Sequence, residues 1–227
     1  MPVQALLFDV FGTCVDWRTS VAREVAKMLP DVDATAFAMA WRAEYQPAME
    51  RIRSGARGYV ALDTLHRENM HRVAARFGVS APDALSHAWE RLDPWDDVRP
   101  GLALIRKHVV IAPCSNGSIA LMTRLARYAA LPWDCILGAE IAQDYKPQTT
   151  VYLASCAALA LPPRAVMMVA AHNGDLAAAA HAGLQTAFVP RPREYGPNQT
   201  TDLEPTGDWT ITAESFTHLA ETLHDRR

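Results

Sequence analysis

The chain reads as an α/β protein, a parallel sheet core interrupted by an inserted helical cap. Three observations predict this. Short continuous apolar runs recur along the chain: Leu6-Leu7-Phe8, Val109-Val110-Ile111-Ala112-Pro113-Cys114, Ala165-Val166-Met167-Met168-Val169-Ala170 and Thr186-Ala187-Phe188-Val189. Strands without polar alternation belong to a parallel sheet covered by helices on both faces. Helical patterns separate these runs from the second onward. Between the first run and the second, residues 17–95 carry helical spacing and no convincing strand, so this block reads as an insertion over the strand ends.

The elements follow in order. The first strand ends at Phe8 and runs into Asp9, with a turn at Gly12. Residues 21–29 have helical spacing. So do residues 36–52, where Phe37, Ala40, Trp41, Tyr45, Ala48, Met49 and Ile52 recur at steps of three and four. Further helices are expected over 59–77 and 82–92, with Pro30, Gly55, Gly58, Gly78 and Pro82 as punctuation. A helix is expected after Pro100-Gly101, to about Lys107, and then the strand 109–114 ending in Ser115-Asn116-Gly117-Ser118. Next come a helix over 118–130, a short strand at Ile136-Leu137, a polar loop with Lys146-Pro147 and a helix over 148–160. The strand 165–170 ends at His172-Asn173-Gly174-Asp175, and an alanine-rich helix leads to Gly183, a suitable C-terminal stop. Strands at 186–189 and 209–212 and a helix over 214–224 complete the expectation. The core is thus assigned to residues 1–16 and 96–227, and the cap to 17–95.

Composition narrows the function classes. The 227 residues are 50% apolar, enough for a full core, and the net charge is −3. That balance has no basic footprint for nucleic acid or an anionic membrane. Cys14, Cys114, Cys135 and Cys156 are widely spaced and show no metal-ligand pattern, so they read as small buried hydrophobes. Met1-Pro2-Val3-Gln4 lacks the basic start of a signal peptide, and no apolar run is long enough to span a bilayer. A cytoplasmic protein is expected.

The chemistry concentrates at strand ends. Asp9 and Thr13 follow the first strand, Ser115 and Asn116 the second, Lys146 lies in the next loop, and Asp175 follows the fourth. In a parallel sheet these ends share one edge, where open α/β sheets bind ligands. Singly, each residue is as readily a helix cap or a solvated charge. Jointly, they describe a site with Asp9 as candidate nucleophile. Cap residues Trp17, Trp41 and Tyr45, together with Phe11, either wall that site or pack cap against core.

This constellation resembles the haloacid dehalogenase (HAD) superfamily over nearly the whole chain, with Asp9, Ser115-Asn116, Lys146-Pro147 and Asp175 as its four motifs. The stretch Phe8-Asp9-Val10-Phe11-Gly12-Thr13-Cys14-Val15-Asp16-Trp17 is similar to the type II 2-haloacid dehalogenases, as are Met168–His172 and Arg191–Pro197. The resemblance implies a Rossmann-like parallel sheet core with a helical cap. It implies that Asp9 attacks the halogen-bearing carbon of a short 2-haloalkanoate and forms an ester, that Arg42 takes the halide, and that Lys146 orients Asp9. Water near Asp175 would then release the 2-hydroxy acid. Main-chain N–H groups near Val10 and Phe11, with Ser115 and Asn116, would hold the substrate carboxylate. Thr13, Tyr152, His172 and Asn173 complete the expected binding set. The expected partners are the halogenated carboxylate, water and the halide product. Monomer and homodimer both stay open, and so does the halogen, fluoride included.

Physics separates this branch from the superfamily's phosphatases. Those enzymes place a second Asp two residues after the nucleophile and hold Mg²⁺, because a transferring phosphoryl group needs its charge neutralised. Here that position is Phe11, and a leaving halide needs no protonation. No metal site and no Mg²⁺ requirement is therefore expected. A phosphatase or phosphonatase-like hydrolase and a non-catalytic binding protein on the same scaffold are the alternatives. The chain departs from the branch at Ala170, His172 and Gly174, where relatives carry Ser, Asn and an aromatic. His172 reads either as a substrate contact or proton relay, or as a residue that orients its loop.

Overall fold

The structure, a computed structural model, describes residues 2–225; positions 1, 226 and 227 of the expected core lie outside the described residues. Six parallel strands form the central sheet: β1 (Ala5–Phe8), β4 (Val110–Ser115), β5 (Leu137–Gly138), β6 (Val166–Ala170), β7 (Gln185–Phe188) and β8 (Ile211–Thr212). Their order is β5-β4-β1-β6-β7-β8. Strand β1 pairs in parallel with β4, Phe8 opposite Pro113, and with β6, Phe8 opposite Val169. The chain fills one side of β1 and then returns to the other. The carboxyl end of β1 is therefore the topological switch point, where such sheets open a crevice. Every residue of β1 and β6 is buried, as a sheet covered on both faces requires.

The insertion is helical: α1 (Trp17–Met28), α2 (Ala34–Ala43), α3 (Tyr45–Arg53), α4 (Leu62–Arg76) and a 3-10 stretch, Asp83–Glu90. Asp16 and Asp33 cap α1 and α2 by accepting from Thr19 N–H at 2.9 Å and Ala36 N–H at 3.0 Å, each satisfying an orphan first-turn donor.

Three local expectations change. The helix expected over 36–52 is two helices, broken at Glu44. Pro47 has no N–H to donate and its ring crowds the carbonyl of Ala43, so α2 ends there. The helix expected after Pro100 starts earlier, as α5 (Val98–Ile105), because a proline in the first turn removes no helical bond. The stretch 82–92, expected as a helix, contains the tighter 3-10 turns of Asp83–Glu90. A short antiparallel pair, β2 (Val15–Asp16) with β3 (Asp93–Pro94), also joins the points where the chain leaves and re-enters the sheet unit. Two-residue strands carry no pattern, so the sequence does not announce them.

The remaining helices, α6 (Ile119–Ala129), α7 (Ala139–Ala142), α8 (Thr149–Ala158), α9 (Asn173–His181) and α10 (Phe216–Asp225), cover the sheet. One apolar core runs from Leu6 and Phe8 through Trp17 and Leu65 to Trp89 and Leu219. A second, on the other sheet face, holds Leu7, Ala112, Met168 and Phe188. Among the described residues, no helix is long and apolar enough to cross a membrane.

Candidate active site

Asp9 is the first residue beyond β1, its N–H donating to Val169 O at 3.0 Å. Its carboxylate is buried and fully engaged. Oδ1 accepts from Lys146 Nζ at 2.8 Å. Oδ2 accepts from Thr13 Oγ1 at 2.7 Å and meets His172 Nδ1 at 3.1 Å. Thr13 Oγ1 itself accepts from Ala171 N–H at 2.9 Å, which leaves the hydroxyl proton for Asp9. Burial alone would raise the Asp9 carboxyl. The Lys146 charge, reinforced by His172, overcomes it and holds the group far below the ordinary carboxylate range.

Lys146 lies in the loop before α8 and also reaches Asp175 Oδ2 at 2.5 Å. Burial would depress its ammonium, but the two carboxylates push it well above the ordinary lysine value. Asp175, in the first turn of α9, accepts from Tyr152 OH at 2.5 Å on its other oxygen. Burial raises its carboxyl despite the lysine.

These groups open onto a cavity of about 610 Å³ between the sheet edge and the helical block. Asp9, Phe11, Asn116, Lys146, His172 and Asp175 line its floor; Arg42, at the end of α2, and Tyr45 reach in from above. The Arg42 guanidinium lies 4.1 Å from the Tyr45 ring centroid and 5.4 Å from that of Trp17. Its Nη1 is buried and has no hydrogen-bond partner among the described residues. The Phe11 ring packs near-perpendicular to those of Trp89 and Tyr45 and forms an apolar wall of the cavity that Asp9 lines.

Several expected site residues sit elsewhere. Val10 is buried in the core, so only its main chain can meet a ligand. Ser115 is also fully buried, and its Oγ accepts from Gly117 N–H at 3.1 Å. Asn116 lines the cavity but uses its carbonyl oxygen to hold Lys146 N–H at 2.8 Å. Tyr152 acts through Asp175. Asn173 is turned away from the cavity: its amide binds Asp202 and Glu204 O, and its Oδ1 accepts from Thr206 N–H and Trp209 Nε1. It organises the loop 202–209, a satisfied polar residue rather than a ligand group. Trp41 packs within the cap, donating to His66 O at 2.9 Å. Cys14 and Cys114 are buried, and burial pushes the Cys114 thiol up to about 12, so both act as small hydrophobes.

Glu194 belongs to this site and escaped sequence reading. It lies in the turn after β7, is almost fully buried, and accepts from Trp17 Nε1 at 2.9 Å while meeting His172 Nε2 at 2.8 Å. The signal was indirect. Gly12 has φ +92°, and a Cβ there would stand 2.1 Å from Glu194 Oε1. Glycine is kept where the backbone must take a positive φ or be closely approached; here both hold. Arg53, on the cavity rim, was also missed; it donates to Lys146 O at 2.9 Å.

The arrangement supplies an ionised carboxylate locked in one orientation, an apolar wall beside it and, above, a guanidinium whose Nη1 has no hydrogen-bond partner among the described residues. That suits displacement at carbon with an anionic leaving group. The profile of the haloacid dehalogenase-like hydrolase family matches residues 3–183. The chain is 48% identical to the defluorinating L-2-haloacid dehalogenase Rha0230, whose crystal structure superposes with a TM-score of 0.96 over 98% of this chain and 95% of that one. The L-2-haloacid dehalogenase PA0810 is 41% identical, with a TM-score of 0.95 over 98% and 99%. The (S)-2-haloacid dehalogenase of Pseudomonas sp. (strain YL) is 26% identical over 218 residues, 93% of this chain and 91% of that protein. The chain belongs to the haloacid dehalogenase-like hydrolases, in their 2-haloacid dehalogenase branch.

Proposed function

We propose that this hydrolytic dehalogenase converts a short 2-haloalkanoate to the 2-hydroxy acid through an ester on Asp9. The observation that carries the reading is one cavity holding both an ionised Asp9 and an Arg42 whose Nη1 lacks a partner. Asp9 attacks the halogen-bearing carbon in line, and the halide departs toward Arg42. Main-chain N–H groups near Val10 and Phe11 and in the turn at Ser115-Asn116 hold the substrate carboxylate. Lys146 keeps Asp9 ionised. Water, deprotonated at Asp175, attacks the ester carbonyl and frees the product. Residues 17–95 act as the cap that closes the cavity and excludes water. No step calls for Mg²⁺: Phe11 supplies no acid, and the Lys146 ammonium already stands between Asp9 and Asp175. The four free cysteines fit a reducing cytoplasm.

A single turnover in ¹⁸O-water tests the route: label enters the Asp9 carboxylate, whereas label in product alone refutes the ester. Asp9→Asn abolishes halide release and keeps the fold. Arg42→Gln lowers kcat/KM and removes inhibition by added chloride, while unchanged chloride inhibition would reject the halide role. Halide release is measured over fluoro-, chloro- and bromoacetate and both 2-chloropropionate enantiomers. Fluoroacetate is included because the 48% identical relative is described as defluorinating. EDTA leaves these rates unchanged; Mg²⁺-dependent turnover of phosphate esters instead would favour the phosphatase alternative.

A further inference from the structure

Both ring nitrogens of His172 face carboxylate oxygens: Nδ1 stands 3.1 Å from Asp9 Oδ2, and Nε2 stands 2.8 Å from Glu194 Oε2. A neutral imidazole has one N–H to donate, so one of these contacts would set lone pair against lone pair. Only the imidazolium satisfies both. Glu194 is 1% exposed, and the single positive group its oxygens contact among the described residues is His172. The turn that carries Glu194 is bolted in place: Arg191 Nε donates to Thr13 O at 2.9 Å and its Nη atoms grip Asp97 at 2.7 and 3.0 Å. Gly12 leaves the space that the Glu194 carboxylate fills. These are the marks of a prebuilt charged hydrogen-bond donor aimed at the nucleophile.

We propose that the His172 imidazolium, held charged by Glu194, is a catalytic residue for the second half-reaction: it stabilises the oxyanion that forms when water attacks the Asp9 ester. The proposal rests on the ester reading above. Asp9 Oδ1, with the one donor Lys146, keeps the freer lone pairs and makes the bond to carbon. Oδ2, with Thr13 and His172 as donors, becomes the ester carbonyl oxygen. Water attacks Cγ and gives one proton to Asp175, and the carbonyl π pair moves onto Oδ2 between those two donors. Collapse restores the carbonyl, breaks the Cγ–Oδ1 bond of Asp9, and expels the substrate alkoxide, whose oxygen is the former Oδ1 and which takes the proton from Asp175. Asp9, left as the acid, then loses its own proton to solvent. Because the alkoxide carries away Oδ1, the water oxygen remains on Asp9. Glu194 is a positioning residue, since it acts through the ring. Donors aimed at developing charge in a dry site are the strongest contribution a site of this kind makes.

The charge on Glu194, with the Asp9 contact, holds the imidazole well above its ordinary value against the effect of burial. Tyr195 also interacts with the ring electrostatically, and Arg42, Tyr45, Lys146 and Asp175 line the same cavity; Asp202, also on the cavity, is engaged by Asn173.

The test uses chloroacetate with wild type, His172→Asn and Glu194→Gln, following halide and glycolate separately after rapid quench. In His172→Asn the first halide per site is released at close to the wild-type rate, and glycolate formation then falls on the order of 10²-fold. Intact-mass analysis shows the carboxymethyl ester building up on Asp9. In Glu194→Gln, which is isosteric and keeps the Trp17 contact, the alkaline limb of ester hydrolysis moves to lower pH. Equal slowing of halide and glycolate with no adduct overturns the proposal. So does hydrolysis that speeds up as pH rises through the His172 titration, because that is the signature of a general base. Absence of ¹⁸O from wild-type Asp9 removes the ester reading and this proposal together; label there without adduct in His172→Asn removes this proposal alone.

Discussion

Lys146 joins two buried carboxylates that would otherwise repel each other across the same few ångströms. Breaking such an arrangement by removing one partner typically costs about 3–5 kcal/mol, because the remaining charge stays buried and unpaired. Lys146→Met is expected to lose about that much at neutral pH, read as the urea midpoint. The sign with pH follows from the shifts. In the wild type the folded pKa of Asp9 is depressed, so its stabilisation is full above the ordinary value and is lost as pH falls. Without the ammonium, burial and the facing carboxylate raise Asp9 and Asp175 together. The penalty is then greatest at high pH and shrinks on acidification, so the two stability curves converge as pH falls toward the carboxylate range. Parallel curves would contradict this account. His172 runs the other way. Its folded pKa is raised, so its contribution is full below about 6.5, its unfolded value, and is lost as pH rises through the folded one. His172→Asn is expected to lack that alkaline decline. At this scale Asp9, Lys146 and Asp175 were legible because each charge lies at or just beyond a strand end, whereas Arg42 stood out only through the family resemblance. Glu194 was not, because one carboxylate in a turn has no pattern until the ring it touches is placed.

Helix α5 shows how an element carries information that its letters hide. Pro100 sits in its first turn, and Gly101 faces α10 so closely that a Cβ would stand 2.4 Å from Phe216 Cβ and 2.6 Å from its main-chain carbon. The sequence marks Pro100-Gly101 as a break before a helix, whereas the structure uses the pair inside one. Gly101→Ala is expected to cost about 1–3 kcal/mol, the usual penalty for overpacking a filled contact, despite alanine's better helix propensity. A neutral or stabilising result in thermal unfolding would show that α5 and α10 can separate freely. The break between α2 and α3 is the converse case. Apolar spacing continues through 36–52, but Pro47 removes the hydrogen bond that would make the run one rod. Arg42 and Tyr45, on either side of that break, lie against each other on the cavity.

At the scale of the molecule, the larger apolar core is shared. Trp17 and Trp89 from the helical block pack in the same cluster as Leu6 and Phe8 from the sheet, and Trp95 Nε1 ties to Gly12 O at 2.8 Å. The two parts are therefore expected to unfold together, with coincident urea transitions by tryptophan fluorescence and far-UV circular dichroism. Separated transitions would mean that the helical block is an independent unit. The sequence by itself determined the parallel α/β class, the helical insertion, and the carboxylates and lysine gathered at the strand ends, with Phe11 two residues after the first of them. Those follow from local pattern: apolar runs, helical spacing and charges at strand ends. Only the tertiary structure decided that the Ser115 and Asn173 side chains serve the scaffold, that Arg42 keeps an unpaired nitrogen on the cavity shared with Asp9, and that His172 stands between Asp9 and Glu194. These depend on contacts between segments far apart in the chain, and the energy of a buried charge is set by its neighbours in space rather than by its neighbours in sequence.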